Sequence, residues 1–180
     1  MEPVATILER EGEALEVLLF KLIETHLLIE AGEARFLPRA TREVERARTR
    51  ARELDLLRAA TVVQVRSDAT LRELAAEATG PWPAILRDHH DVLSRLVAEI
   101  EVVAHRNASG ARAGLDLLAH HRAPATTVVG TGGRSGASGT PSGRPVRNAE
   151  LDRLATGAAL EAVLGTAARL RMPDLIDFLR

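Results

Sequence analysis

The feature that most constrains this chain is the period at which its apolar residues return. From Val4 through Ile7, Leu8, Leu15, Leu18, Leu19, Leu22, Ile23 and Leu27 the steps are three and four residues, the spacing that gathers side chains on one stripe of an α-helix. Pro3 suits the first turn, where its missing N–H loses no hydrogen bond, and Gly32 can close the helix in the left-handed region. Pro38 opens a second stretch in which Leu37, Ala40, Val44, Ala47, Ala51 and Leu54 follow a heptad seam of mostly small side chains, an antiparallel partner for the first helix. Thr70-Leu71-Arg72-Glu73 has the form of a capping box and predicts a short helix ending near Gly80. A further long helix is predicted from Ala84 to about Arg122, carrying Leu86, Leu93, Leu96, Ile100, Val103, Asn107, Ala111, Gly114 and Leu118.

Composition then changes. Residues 124–147 hold Gly130, Gly132, Gly133, Gly136, Gly139 and Gly143 among Ser, Thr and Pro, and read as a flexible linker. Asn148 can cap a last helix bearing Leu151, Leu154, Ala158, Leu160, Val163, Leu164, Ala167 and Leu170, which Pro173 interrupts before the apolar-acidic end Asp174-Leu175-Ile176-Asp177-Phe178-Leu179-Arg180. Thr126 to Val129 is the only β-like run and is too isolated to make a sheet. The expected fold is therefore all-α: an antiparallel helical bundle or coiled coil of long amphipathic helices over residues 1–123, a linker over 124–147, and a C-terminal amphipathic helix and tail over 148–180.

Charge and composition narrow the function. With 24 Lys+Arg against 25 Asp+Glu, no long-range field draws the molecule onto nucleic acid or an anionic membrane. Three Phe, one Trp and no Tyr offer little for base stacking. The absence of cysteine excludes disulfides, thiolate nucleophiles and Cys-ligated metals. Met1-Glu2-Pro3 does not begin a signal peptide, and the apolar runs fall short of the ~20 residues of a membrane-spanning helix, so a cytoplasmic protein without membrane insertion is expected.

Motifs for chemistry are weak. No two of the six histidines, His26, His89, His90, His105, His120 and His121, stand four apart, so no helical metal site and no cofactor is expected. Asp88-His89-His90-Asp91 has no nearby nucleophile and reads as a solvated helix face; no catalytic residue is assigned. The glycine run lacks a Gly-Lys-Ser/Thr element and is no phosphate loop. Arg35, Arg39, Arg42 and Arg46 form a basic stripe, offset by Glu43 four residues from Arg39 and by Glu45 three from Arg42. Asn107 stands on an apolar seam and reads equally as a buried amide fixing helix register or as a surface residue beside a shifted seam.

The C-terminal helix is the most informative element. Its apolar residues, Leu151, Leu154 and Leu164 with Leu175, Ile176, Phe178 and Leu179 of the tail, can dock on the bundle or enter a partner by helix-in-groove recognition. Three or four buried Leu-sized anchors correspond to on the order of 6–10 kcal/mol gross before ordering costs, which suits a reversible partnership.

Three segments carry a family resemblance. Glu11-Gly12-Glu13-Ala14-Leu15-Glu16-Val17-Leu18-Leu19-Phe20-Lys21-Leu22-Ile23-Glu24 resembles the opening helix of FlgN-type flagellar export chaperones of the actinobacterial branch. Ala31-Gly32-Glu33-Ala34-Arg35-Phe36-Leu37-Pro38-Arg39-Ala40-Thr41-Arg42-Glu43-Val44-Glu45 and Glu99-Ile100-Glu101-Val102-Val103-Ala104-His105-Arg106-Asn107 follow in the same order. The resemblance spans about residues 5–122. It implies a non-catalytic cytoplasmic helical protein that keeps hook-associated (hook–filament junction) proteins unassembled and delivers them to the flagellar type III export gate. It also implies client contacts towards the C-terminal part, with Leu115 and Leu118 foremost. Where such proteins commonly have a tyrosine-containing Thr-Tyr-Gly-like segment, this chain has Thr127-Val128-Val129-Gly130, and Phe178 with Leu175, Ile176 and Leu179 is the candidate replacement anchor. The competing reading is a structural coiled-coil adaptor that homodimerises through Ala40, Ala47 and Ala51 and through Gly110 and Gly114.

Overall fold

The computed structural model describes residues 1–120 and 144–180 and is all-α among them. Helix α1 spans Glu2–Glu30, a single 3-10 turn follows at Ala34–Phe36, and α2 spans Leu37–Val65. Helix α3 is Leu71–Glu77, α4 is Trp82–His120, α5 is Arg144–Ala168 and α6 is Pro173–Leu179. None is long and apolar enough to cross a membrane.

The helix boundaries have local causes. Pro3 and Pro38 sit in the first turns of α1 and α2, where no intrahelical donor is lost. Gly32 ends α1 at φ 69°; its N–H reaches Ile29 O at 3.1 Å and the Glu33 N–H reaches Leu28 O at 2.9 Å, a Schellman closure that an L-residue would strain. The Thr70 box is complete. Glu73 N–H donates to Thr70 Oγ1 at 3.3 Å and Thr70 N–H donates to Glu73 Oε2 at 2.9 Å, which holds the Glu73 carboxyl below its usual range.

Helices α1 and α2 run antiparallel, since Glu11 meets Arg58 while Lys21 meets Glu43. Helices α1 and α4 run parallel, since Leu22 meets Asn107 and Ile29 meets Gly110. Their shared core contains Leu8, Leu15, Leu18 and Leu22 of α1, Val44, Ala47, Ala51 and Leu54 of α2, and Leu86, Leu93, Leu96 and Ile100 of α4. The seam expected on α2 holds except at its start, where Thr41 is buried and Ala40 only half-buried. Thr41 satisfies its hydroxyl on Leu37 O at 2.9 Å, so the seam tolerates it.

The C-terminal helix docks on the bundle. Helix α5 packs against both α2 and α4, placing Ala159, Leu160 and Val163 around Leu37 and Ala111 in a second apolar cluster. It begins at Arg144, four residues before the predicted cap Asn148, and every residue from Leu151 to Ala155 is exposed. The chain then turns through residues 169–172 and α6 continues down the same slot to α3 and α4. The remainder of the predicted linker, residues 124–143, and the β-like run Thr126 to Val129 lie outside the described residues.

Small residues on α4 mark these internal approaches. A Cβ on Gly114 would stand 2.9 Å from Leu160 Cδ1, and one on Gly110 would stand 3.0 Å from Ile29 Cγ2. The two glycines therefore seat the chain's own α5 and α1, and Ala47 and Ala51 lie inside the core, so the seam expected to serve homodimerisation is already covered within one chain. We expect Gly114→Leu to destabilise by about 1–3 kcal/mol through overpacking. Gly157→Ala, with nothing within 4 Å of its added Cβ, should stabilise by about 0.5–1 kcal/mol. Urea unfolding midpoints check both.

Candidate functional site

The slot between α2 and α4 has a charged floor. Arg58 continues the α2 seam one turn beyond Leu54 and is 2% exposed; Glu11 interrupts the α1 seam between Leu8 and Leu15 and is 1% exposed. Arg58 Nε lies 3.0 Å from Glu11 Oε2 and donates to Glu11 Oε1 at 3.3 Å, and its Nη2 pairs with Asp55 Oδ1. The Phe178 ring of α6 covers the guanidinium, 4.2 Å from its carbon, a cation–π contact that gains strength away from water. A cavity of about 30 Å³ lies beside this group, under the connection between α5 and α6, lined by Glu11, Leu15, Leu18, Asp55 and Met172.

Other polar contacts pin the same segment. Glu45 on α2 accepts from Thr166 Oγ1 at 3.0 Å, Arg169 Nη2 at 2.5 Å and Arg48 Nε at 2.9 Å. Glu45 therefore serves α5 and Arg48 rather than the Arg42 pairing expected from sequence spacing. Arg39 does bind Glu43, at 2.9 Å, and Lys21 joins them at 2.8 Å; the hydrogen bond from Lys21, then that from Arg39, holds the Glu43 carboxyl down to about 2. At the lower end, His90 Nε2 lies 3.0 Å from the Leu179 carbonyl and His90 Nδ1 lies 3.0 Å from Asp91. His90 is thus a tether for the tail rather than part of a solvated face.

The predicted partner residues separate into three groups. Leu151 and Leu154 are 63% and 58% exposed. Leu115, Leu118 and Leu164 are half-buried around the Leu160 cluster. Leu175, Phe178 and Leu179 are buried in the main core with Ile176 packed at its edge, because the apolar face of α6 meets the slot of its own bundle. Of the two alternatives left open by the sequence, docking on the bundle or entering a partner, the described structure has these four docked on the bundle. Asn107 is 1% exposed and donates from Nδ2 to Leu22 O at 2.9 Å, so it fixes α4 against α1. Thr127 to Gly130 lie outside the described residues.

The Glu11–Arg58 pair was missed because a charge is ordinarily assigned to the surface; its register on each seam was the available signal. Among the described residues no group of three or more His, Asp or Glu side chains is placed to hold a metal ion. The arrangement is an apolar slot with one buried guanidinium under an aromatic ring. No protein-family model, curated protein or solved structure matches the chain.

Burial raises the Glu11 carboxyl from 4.5 to about 7, although Arg58 beside it pulls the other way. The folded chain therefore keeps a proton that the unfolded chain releases. Stability from this group is fully present below pH 4.5, falls as pH rises towards 7 and levels off above it. We expect the difference in urea midpoint between wild type and Glu11→Gln to change across that window and to be flat on either side. Above pH 7, where Glu11 is ionised, Arg58→Ala should destabilise by about 3–5 kcal/mol because it leaves Glu11 buried without its partner, and by less at pH 5, where Glu11 keeps its proton.

Proposed function

We propose that the chain is a cytoplasmic export chaperone that binds hook-associated flagellar proteins, keeps them unassembled and delivers them to the flagellar type III export apparatus. The observation that carries this reading is the convergence of the three segments that resemble FlgN-type chaperones. Lys21 of the first pairs with Glu43 of the second at 2.8 Å, and Asn107 of the third donates to the Leu22 carbonyl of the first at 2.9 Å. The resembling residues thus form one three-helix unit instead of being scattered over separate surfaces.

The surface chemistry agrees with a carrier of amphipathic segments. Phe20 and Leu27 are each 57% exposed on the outer side of α1, and Leu151 and Leu154 stand out on α5. Single exposed apolar residues are ordinary on soluble proteins, so the weight rests on the three-segment unit and on the helix-sized slot beside it. Phe178, the candidate replacement for the aromatic anchor, faces inward on Arg58, so gate docking through this ring requires release of α6.

Co-expression with the two hook-associated junction proteins tests the reading. We expect at least one to be recovered in a soluble complex that survives size-exclusion chromatography, with less polymerised client than in its absence. Recovery of neither client would sink the assignment.

A further inference from the structure

Residues 1–120 form a three-helix unit with α3 at one end, and the segment from 144 onward reaches it through 23 intervening residues, six of them glycine. The lower half of the slot is filled by a helix of seven residues, α6. A helix this short has no stability of its own, so side-chain anchors and the His90 contact at the Leu179 carbonyl hold it in place. The anchors are Leu175, Phe178 and Leu179, that is positions i, i+3 and i+4, which share one helix face.

The seat they occupy is partly unfavourable to close. With α6 docked, Arg58 and Glu11 are almost wholly dehydrated and Asp55 is half-buried, and Glu11 Oε2 has no aligned hydrogen-bond donor. Dehydration of an ion pair offsets much of its Coulomb gain, so the anchors work against a desolvation term. Lifting α6 would return water to the pair while leaving α1, α2 and α4 joined along Val44, Leu18 and Leu96. A short helix joined to the docked α5 only through residues 169–172, and a charged floor, are the marks of a plug that can leave.

We propose that the half of the slot over Arg58 is a client-docking site that the chain's own residues 173–179 occupy in the client-free state, and that it receives an amphipathic helical segment of the exported partner presenting Leu, Phe and Leu at i, i+3 and i+4. The pattern is that of the present occupant, Leu175-Ile176-Asp177-Phe178-Leu179, and the aromatic is selected by the guanidinium it covers. The identity of the partner rests on the chaperone reading; the exchange of α6 does not.

The test uses the full chain and a fluorescent peptide of residues 169–180 added in trans, read by anisotropy. The peptide should bind wild type weakly and bind Phe178→Ala at least ~10-fold more tightly, because the tethered competitor is weakened. Leu179→Ala, which likewise weakens only the tethered occupant and leaves the seat intact, should shift binding in the same direction, whereas Leu56→Ser on the exposed side of α2 should leave it unchanged. Circular dichroism verifies that each variant is folded. Equal peptide affinity for wild type and both tail variants, or no binding to any folded variant, overturns the proposal. So does a wild-type dimer that forms through exchanged tails and that the peptide dissociates, since the occupant is then a second copy. Hook-associated proteins that bind wild type and Phe178→Ala equally, without competition from the peptide, overturn this site and leave the chaperone reading standing. Peptide exchange with no hook-associated protein bound leaves the plug standing and removes the chaperone reading.

Discussion

Everything in this fold follows from one geometrical shortfall: α1 cannot cover both sides of the apolar stripes that α2 and α4 present. On α4 the buried set runs from Leu93 and Asn107, which face α1, round to Ala111, which faces α5. On α2 it runs from Val44 and Leu54 to Leu37 and Arg58. Stripes wider than one neighbour need a second, and the segment after residue 144 supplies it. The glycines at 110 and 114 are the sequence's response to the two closest approaches, one to each neighbour.

The two halves of that fourth element are held by different physics. The α5 half is apolar, with Leu160 and Val163 on Leu37 and Ala111, and it is fastened at its end by Glu45 through Thr166 and Arg169. Its removal would uncover hydrocarbon with no compensating gain except in chain entropy. The α6 half adds to its apolar anchors a floor of Arg58, Asp55 and Glu11, for which water is a good alternative partner. A buried pair that also loses water is close to neutral in free energy, so the lower half of the slot opens at smaller cost than the upper. Asn107 adds a different constraint. With its Oδ1 unmatched it contributes little to stability, but an amide that can reach the Leu22 carbonyl in only one alignment fixes α4 against α1.

The architecture was legible where a local rule fixes a local outcome. Pro3, Pro38, Gly32 and the Thr70–Glu73 box each act within one helical turn, and each stands where the sequence placed it. The seam of α2 was legible because a core position needs little more than an apolar side chain at the right phase. Periodicity does not say what covers a stripe, and this is why Leu175, Phe178 and Leu179 could be read as partner contacts when their own bundle takes them. It also hid Arg58 and Glu11. Both are in phase with the seams, but a charge in phase becomes buried only if its counter-charge is brought within reach, and that requires α1 and α2 to be paired in a register no single helix reveals. The start of α5 shows the same limit: Asn148 is a good cap, but Arg144 and Pro145 allow the helix to begin a turn earlier, with Pro145 acceptable in the first turn.

An internal plug has a quantitative consequence for any client that uses the slot. If α6 is seated 99% of the time, the apparent affinity of a competing helix falls about 100-fold, which corresponds to about 2.7 kcal/mol. A client helix with an intrinsic nanomolar constant would then bind near 0.1 μM, tight enough to stay with the carrier and loose enough to be released. The plug also stays joined to the docked α5 through residues 169–172, which keeps its effective concentration at the slot high, so an emptied slot recloses before its apolar walls meet another chain. An apolar slot left open exposes hydrocarbon to any other chain, and a helix whose seat includes Arg58 and Glu11 covers it without making the cover permanent.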